Sequence, residues 1–465
     1  MASNDRTRDL VVLGAGPAGL AAAWRAALRG LSVTVLERAA APGGMAGSFS
    51  VDGIRVDHGS HRLHPATPAY LLDDLRALLG GDLQTRQRNG GLRVYGRWVG
   101  FPLRPTELVR AVPPRAAARI ARDAMRGPFI RRRGDSYEAV LTRSLGPELY
   151  HALYAPYAVK LWGLPGNEVD AEQARVRVAA NTPWKVAARA LRRRDGQGRV
   201  FHYPRRGFGQ IVSALAEAAV NSGVDLRLAQ EVIGLHDDGD AVTVRTGDGE
   251  HPGRRVFSTV PLPVLARLVS QPALSAALAD ADALRFRAMV LVYVVHSGGP
   301  WTGYDAHYLP GPETPITRIS EPANYRDSAD DPRDRTVLCV EIPCERGDDT
   351  WSADDETLVE LITDGLAATG LPPVVVAGVE VRRLPRVYPV YERGFADRLA
   401  GLEAWAEDLP RVTTFGRLGL FAHDNTHHAM AMAYAAVDCL GPDGGWDANR
   451  WAAARETFRA HVVED

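Results

Sequence analysis

The sequence predicts an α/β fold made of a discontinuous first domain, an inserted and mostly helical lobe, and a mixed-sheet region. Three observations carry that expectation. The segment DLVVLGAG-PAGLAAAWRAALRG-LSVTVLER reads as strand, glycine turn, helix and second strand. From about Tyr70 to Ala190 the apolar residues recur at helical spacing. From MVLVYVV to VLCVEIP the chain turns to β-branched, strand-length runs.

With 465 residues the chain is long enough to bury a large core in more than one lobe. A formal net charge of -1 gives no overall attraction to nucleic acid or to acidic membranes. Lys160 and Lys185 are the only lysines among 55 basic side chains, so arginine clusters carry meaning only where their spacing does. Cys339, Cys344 and Cys439 are odd in number and lack CxxC spacing, which excludes a disulfide framework and fits a reducing cytoplasm. The N-terminus runs from a polar tail directly into a strand without the parts of a signal peptide. No later stretch approaches the ~20 apolar residues needed for a transmembrane segment.

Within the first unit, Gly14-Ala-Gly16-Pro-Ala-Gly19 follows the apolar strand and opens the helix, and Glu37 ends the next strand 18 residues after Gly19. Each glycine has a distinct physical task in a Rossmann-like domain. Gly14 permits the tight turn, Gly16 lets a pyrophosphate approach the backbone, and Gly19 allows helix and strand to touch. The helix amides then face phosphates, and Glu37 can accept from ribose hydroxyls. A second glycine loop, Pro42-Gly43-Gly44-Met45-Ala46-Gly47, and the segment Asp57-His58-Gly59-Ser60-His61 follow. A plain NAD domain has no use for them, whereas a chain passing the ribityl and ring of a flavin does, so FAD is the expected cofactor.

In the lobe, alternating Leu92, Val94, Trp98 and Phe101 predict a small hairpin around Gly96-Arg97. The segment PRAAARIARDAMRGPFIRRRGD repeats arginine at roughly helical spacing and reads as a solvated helix face. The FAD-binding domain is assigned to 1–75, 200–285 and 386–465, the inserted lobe to 76–199, and the strand-rich substrate-binding region to 286–385. No GxSxG elbow, HExxH or Walker loop is present, which removes support for hydrolase and phosphotransferase chemistry. His423, His427 and His428 with Asp424 have no spaced partner set, so they are assigned to solvent, flavin or substrate contact and no metal is expected.

The ordered segments GAGPAGL, ER…PGGMAGS, DHGSHRLH, GRWVGFPL, VKLWGLP, YPRRGFGQ, FSTVP, ITRISEPANYR, VYPVY and FGRLGLFAHDNTHHAMA resemble the flavoprotein superfamily of amine oxidases, protoporphyrinogen oxidases and UDP-galactopyranose mutases. The resemblance implies that Gly14, Gly16, Gly19 and Glu37 hold the ADP half of FAD, with Arg38 near the phosphates. It implies that Gly43, Gly44, Met45 and Ala46 run beside the flavin, and that Val232 meets the adenine through its backbone. Gly416 and Arg417 would close over the ring, and the next helix would aim its N-terminus at it. On the substrate side, Arg177 and Arg318 would clamp the diphosphate of a sugar nucleotide, with Tyr388 and Asn425 nearby and His61 beside the flavin. The chain departs from the mutase pattern at Thr426-His427-His428, where an acid-histidine pair is expected, and at His423, where a tyrosine is expected.

Two chemistries follow from the resemblance. One is a pyranose/furanose mutase-like reaction on a nucleotide sugar through N5 of reduced flavin, with a reductant such as NAD(P)H as a partner. The other is an oxidase or dehydrogenase reaction in which a sugar, amine or polycyclic metabolite gives up a hydride.

Overall fold

A computed structural model describes residues 7–102, 105–126, 134–177, 200–270, 275–441 and 445–463. Lys185 and the end of the arginine-rich segment, 127–133, lie outside the described residues.

The first strand, β1 (Leu10–Leu13), and the second, β2 (Val33–Leu36), are buried at every position. Continuous burial is what a parallel sheet covered on both faces requires. They sit in a five-stranded sheet whose order is Val412–Thr414, Val256–Ser258, β1, β2, Asp225–Arg227, and all four pairings are parallel. Strands from distant parts of the sequence therefore complete the sheet that the first 40 residues begin. Helix α1 (Pro17–Leu28) starts with proline in its first turn, where a missing N–H costs nothing. It packs its alanines against one face of the sheet, together with the helices Gln210–Asn221 and Thr426–Asp438. A second apolar cluster, including Leu262, Leu265 and Leu402, covers the other face.

The strand-rich region is a seven-stranded mixed sheet ordered Val376–Pro389, Phe286–Ser297, Arg335–Cys344, Arg318–Ser320, Ala306–Tyr308, Gly90–Val94, Arg97–Phe101. Its second strand, Phe286–Ser297, lies between two long neighbours and shows the period-two pattern of a sheet clothed on both sides. Val290, Val292 and Val294 enter one apolar cluster, while Met289, Leu291, Tyr293 and Val295 enter another. That second cluster contains Val51, Ile54 and Val56, with Met45 and Phe49 packed on it, so the sheet's inner face bears on the glycine-loop segment.

The hairpin expected around Gly96-Arg97 is present, with Leu92 facing Val99 and Val94 facing Arg97. It does not stand alone in the helical lobe, because Gly90–Val94 pairs in parallel with Ala306–Tyr308 and so extends the seven-stranded sheet. The remaining lobe contains the helices Pro114–Arg126, Tyr137–Leu145, Ala155–Trp162 and Ala171–Arg177. The last three share a small core around Tyr137, Tyr150, Trp162 and Ala174.

Candidate active site

Between the parallel sheet, the mixed sheet and the helical lobe runs a cavity of about 870 Å³. Its wall brings together Gly14, Gly16, Glu37 and Arg38; Gly43, Gly44, Met45 and Ala46; Val232; His61; Arg177, Arg318, Tyr388 and Asn425; and Gly416 and Arg417, whereas Gly19, His423, His427 and His428 are not part of it. Gly19 lies behind the wall, where a Cβ would come 1.9 Å from the Gly14 carbonyl oxygen. That approach of helix to strand is the one its position predicts.

At the end formed by the first glycine turn, Glu37 is nearly buried and accepts from the Ala15 and Ala39 amides at 2.7 and 2.9 Å. Two backbone donors fix the carboxylate, and a carboxylate has further lone pairs that can take a ligand hydroxyl. The two glycine loops meet back to back: a Cβ on Gly44 would lie 3.2 Å from Gly16 Cα, and Gly44 has φ +54. Side chains at either position would fill the narrow part of the cavity.

The loop carrying His61 is clamped from below. Ser60 donates its amide to Glu341 at 2.8 Å, and Tyr293 donates its hydroxyl to the Asp57 carbonyl at 2.6 Å. His61 lies stacked on Phe208 with Nε2 3.0 Å from the His58 carbonyl, so Nε2 carries the proton and Nδ1 is left as an acceptor. Burial, opposed by Asp57 and reinforced by Arg318, pulls its pKa below the ordinary value and keeps the ring neutral.

The two arginines expected to act as a clamp are in different electrical states. Arg318 gives Nε and Nη2 to Glu341 at 3.0 and 2.8 Å, a bidentate pair in which the carboxylate is buried. Burial disfavours its charge, but Glu341 more than compensates and holds the pKa well above the ordinary arginine value. Arg177 has no such partner among the described residues. Its guanidinium lies 4.9 Å from the Tyr388 ring and 5.4 Å from the Trp162 ring, its Nη2 is 3.3 Å from His423 Nδ1, and its buried Nε has no hydrogen-bond partner.

Arg417 lies 5.2 Å from the same Tyr388 ring and, among the described residues, donates to the main-chain carbonyls of Val387 at 3.1 Å and Asp424 at 3.4 Å. Burial, opposed by Tyr388 and reinforced by the like charge of Arg177, lowers its pKa. Burial and both arginines likewise push His423 well below the ordinary histidine value, so it is neutral. Tyr388 is thus flanked by two guanidinium groups, neither of which makes a salt bridge to a side-chain carboxylate among the described residues, although Asp424 is close enough to act on the charge of Arg417. Asn425 caps the helix Thr426–Asp438 in a capping box with His428, which aims that helix's free amides at the cavity.

Sequence reasoning missed Glu341 as the partner of Arg318, although one acid in the apolar strand RTVLCVEIPC was a readable signal. It missed Trp162, present within the quoted segment VKLWGLP but given no task. It also missed His461, whose Nδ1 lies 3.0 Å from Asp424 Oδ1 across 37 residues and which no local spacing announces.

The glycine cradle, the anchored Glu37 and the cation-lined far end fit a bound FAD. Comparison with known proteins agrees. Residues 12–79 match the NAD(P)-binding Rossmann-like domain, and residues 166–408 match the flavin containing amine oxidoreductase family. Hydroxyneurosporene desaturase of Rubrivivax gelatinosus is 33% identical over 152 residues, covering 28% of each chain. Phytoene dehydrogenase of Streptomyces griseus is 30% identical over 288 residues, covering 56% of each. The matched regions therefore span between about a quarter and just over half the length of these relatives. A solved structure of reduced UDP-galactopyranose mutase shares the fold with a TM-score of 0.79 at 22% identity, over 93% of both chains. The family match covers more than half of the sequence, and the chain belongs to the flavin-containing amine oxidoreductases, a family of FAD-dependent enzymes.

Proposed function

We propose that the protein is an FAD-dependent enzyme acting on an anionic small molecule, and that its finer activity is a mutase-like rearrangement of a nucleotide-linked sugar. The observation that carries this reading is the Arg177-Tyr388-Arg417 stack, two part-buried guanidinium groups that make no salt bridge to a side-chain carboxylate among the described residues, at the flavin cavity. Buried cations are stable when an opposite charge reaches them, and a phosphate or carboxylate from the substrate supplies it.

Gly14, Gly16, Glu37 and Arg38 would hold the adenosine diphosphate half of FAD. Gly43 to Ala46, Val232, Gly416 and the N-terminus of the helix after Asn425 would enclose the rest. Bound FAD supplies a nucleophilic N5 when reduced and a hydride acceptor when oxidised. The protein's part is positional and electrostatic. Arg177 would bind the diphosphate through its free edge while Tyr388 and Trp162 hold the guanidinium plane. Arg318, held in place by Glu341, would offer its remaining Nη1. Stabilising the departing diphosphate and keeping it in the cavity would favour its return to the same sugar. His61, neutral with Nε2–H on the His58 carbonyl, would present Nδ1 as an acceptor without adding charge.

A second reading, hydride removal by oxidised FAD, is supported by the same pair that weakens the clamp. Glu341 balances the charge of Arg318, which leaves that part of the wall suited to a less highly charged substrate. The names of the sequence relatives, a desaturase and a dehydrogenase, point the same way.

Anaerobic incubation of the purified protein with UDP-sugars, with and without prior dithionite reduction and followed by chromatography of the products, separates the two. Conversion only after reduction is expected for the mutase reading. Bleaching of the oxidised flavin by a substrate without added reductant overturns it and supports the second.

A further inference from the structure

We infer that Asp424, His428 and His461 form a binding site for a divalent transition-metal ion, which clips the C-terminal tail to the N-terminus of the helix Thr426–Asp438. Asp424 Oδ1 lies 3.0 Å from His428 Nδ1 and 3.0 Å from His461 Nδ1, and the three ligand atoms are all within 4.8 Å of one another. Metal–nitrogen and metal–oxygen bonds of roughly 2.0–2.2 Å place neighbouring ligand atoms about 3 Å apart, so one ion can reach all three with little movement. Two imidazoles and one carboxylate suit zinc and its first-row neighbours better than calcium or magnesium.

The hydrogen bonding of His428 states what an ion would displace. An imidazole nitrogen has one in-plane position, which holds either a proton or a lone pair. The Asn425 amide donates to His428 Nδ1 at 3.3 Å, which requires the lone pair, yet the Asp424 oxygen faces the same nitrogen at 3.0 Å. Without an ion the Asp424 carboxylate takes hydrogen bonds from the two imidazoles; an ion would replace those ring protons and take the His428 Nδ1 lone pair that the Asn425 amide otherwise engages.

A further observation lies next to these groups. His427 is 3% exposed, its Nδ1 has no hydrogen-bond partner, and its ring centroid is 4.2 Å from that of His428. The His428 and His461 rings stack at 4.1 Å with an interplanar angle of 15°, which presents both Nδ1 atoms to the same oxygen. His461 is 20% exposed on its side chain, so an ion can enter from solvent. The positive helix N-terminus and the nearby Arg417 oppose a cation, which weakens the site relative to one without them.

The consequence reaches the cavity. Val463 donates its amide to the Val176 carbonyl at 2.9 Å, and Val463 and Asp424 both line the cavity wall. An ion bound at His461 would hold that strap beside Arg177.

The test is calorimetric titration of tag-free, FAD-loaded, EDTA-treated protein with ZnCl2, alongside melting temperature with and without Zn2+. Saturable uptake stoichiometric with the chain, with a higher melting temperature, is expected for the wild type. In His461→Gln the affinity should fall by about tenfold or more, since losing a ligand costs at least as much as losing a group behind one. Asp424→Asn should behave likewise. His461 follows the last helix, so retention of bound FAD in His461→Gln reports that the variant is folded. No uptake by the wild type, or equal uptake by wild type and His461→Gln, overturns the proposal.

Discussion

Glu341 connects two parts of the cavity through one carboxylate, binding the Arg318 guanidinium and the Ser60 amide of the loop that carries His61. Removing one member of a buried pair leaves the other charge uncompensated, at a cost of about 3–5 kcal/mol. Glu341→Ala should therefore lose stability on that scale in urea denaturation, and the double variant Arg318→Ala/Glu341→Ala should lose less than the sum of the singles. Additive losses would show that the pair is not coupled. At this scale the sequence was readable by residue type but not by pairing. The resemblance gave Arg177 and Arg318 the same role, yet Arg318 is ion-paired with a buried acid and Arg177 is stacked on aromatic rings. That difference depends on Glu341, 23 residues beyond Arg318 on another strand, and on Tyr388, far from Arg177 in the chain, neither of which local spacing announces.

Among the elements, the first βαβ unit was the most legible, because its strand, turn and helix are set by residues within about ten positions of one another. The prediction that belongs here concerns Gly19. An added Cβ at 1.9 Å from the Gly14 carbonyl oxygen meets backbone that cannot move aside, whereas Gly81 has open space around it. Gly19→Ala should purify with its flavin largely lost, while Gly81→Ala should retain it, as read by the visible absorbance of the purified proteins. Equal flavin content would remove the close helix–strand approach from the account. The hairpin at Gly96 was also foreseen, but its addition to the edge of the mixed sheet was not. A period-two pattern fixes which side chains share a face without saying which strand lies alongside.

At the scale of the whole molecule, burial sets a pH limit. Burial lowers the pKa of His61 and His423, and takes His307 to about 4 and His427 to about 3. The unfolded chain binds protons at these rings near the ordinary value of 6.5, while the folded chain does not. Stability is therefore full above that value and falls as pH drops toward the folded pKa values, by up to ~1.4 kcal/mol per pH unit for each ring titrating only in the unfolded state. Urea midpoints measured from pH 7 to pH 4.5 should decline, and less steeply in His307→Gln. A slope unchanged by that substitution would contradict the assignment.

The cavity itself could be anticipated only in part. The glycines and Glu37 follow from local spacing, and the far wall from the resemblance, but the Arg177-Tyr388-Arg417 stack arises where the lobe, the mixed sheet and the C-terminal return meet. Among the described residues no helix is long and apolar enough to cross a membrane. The central claim is that this stack receives an anionic group beside the flavin. Titrating the FAD-loaded protein with UDP, and separately with pyrophosphate, while recording the flavin absorbance tests it most directly. The account predicts a saturable difference spectrum for UDP that weakens with added salt and whose affinity falls about 10- to 100-fold in Arg177→Ala, the scale of one lost charge-assisted hydrogen bond. No spectral change, or the same affinity in Arg177→Ala, would contradict it.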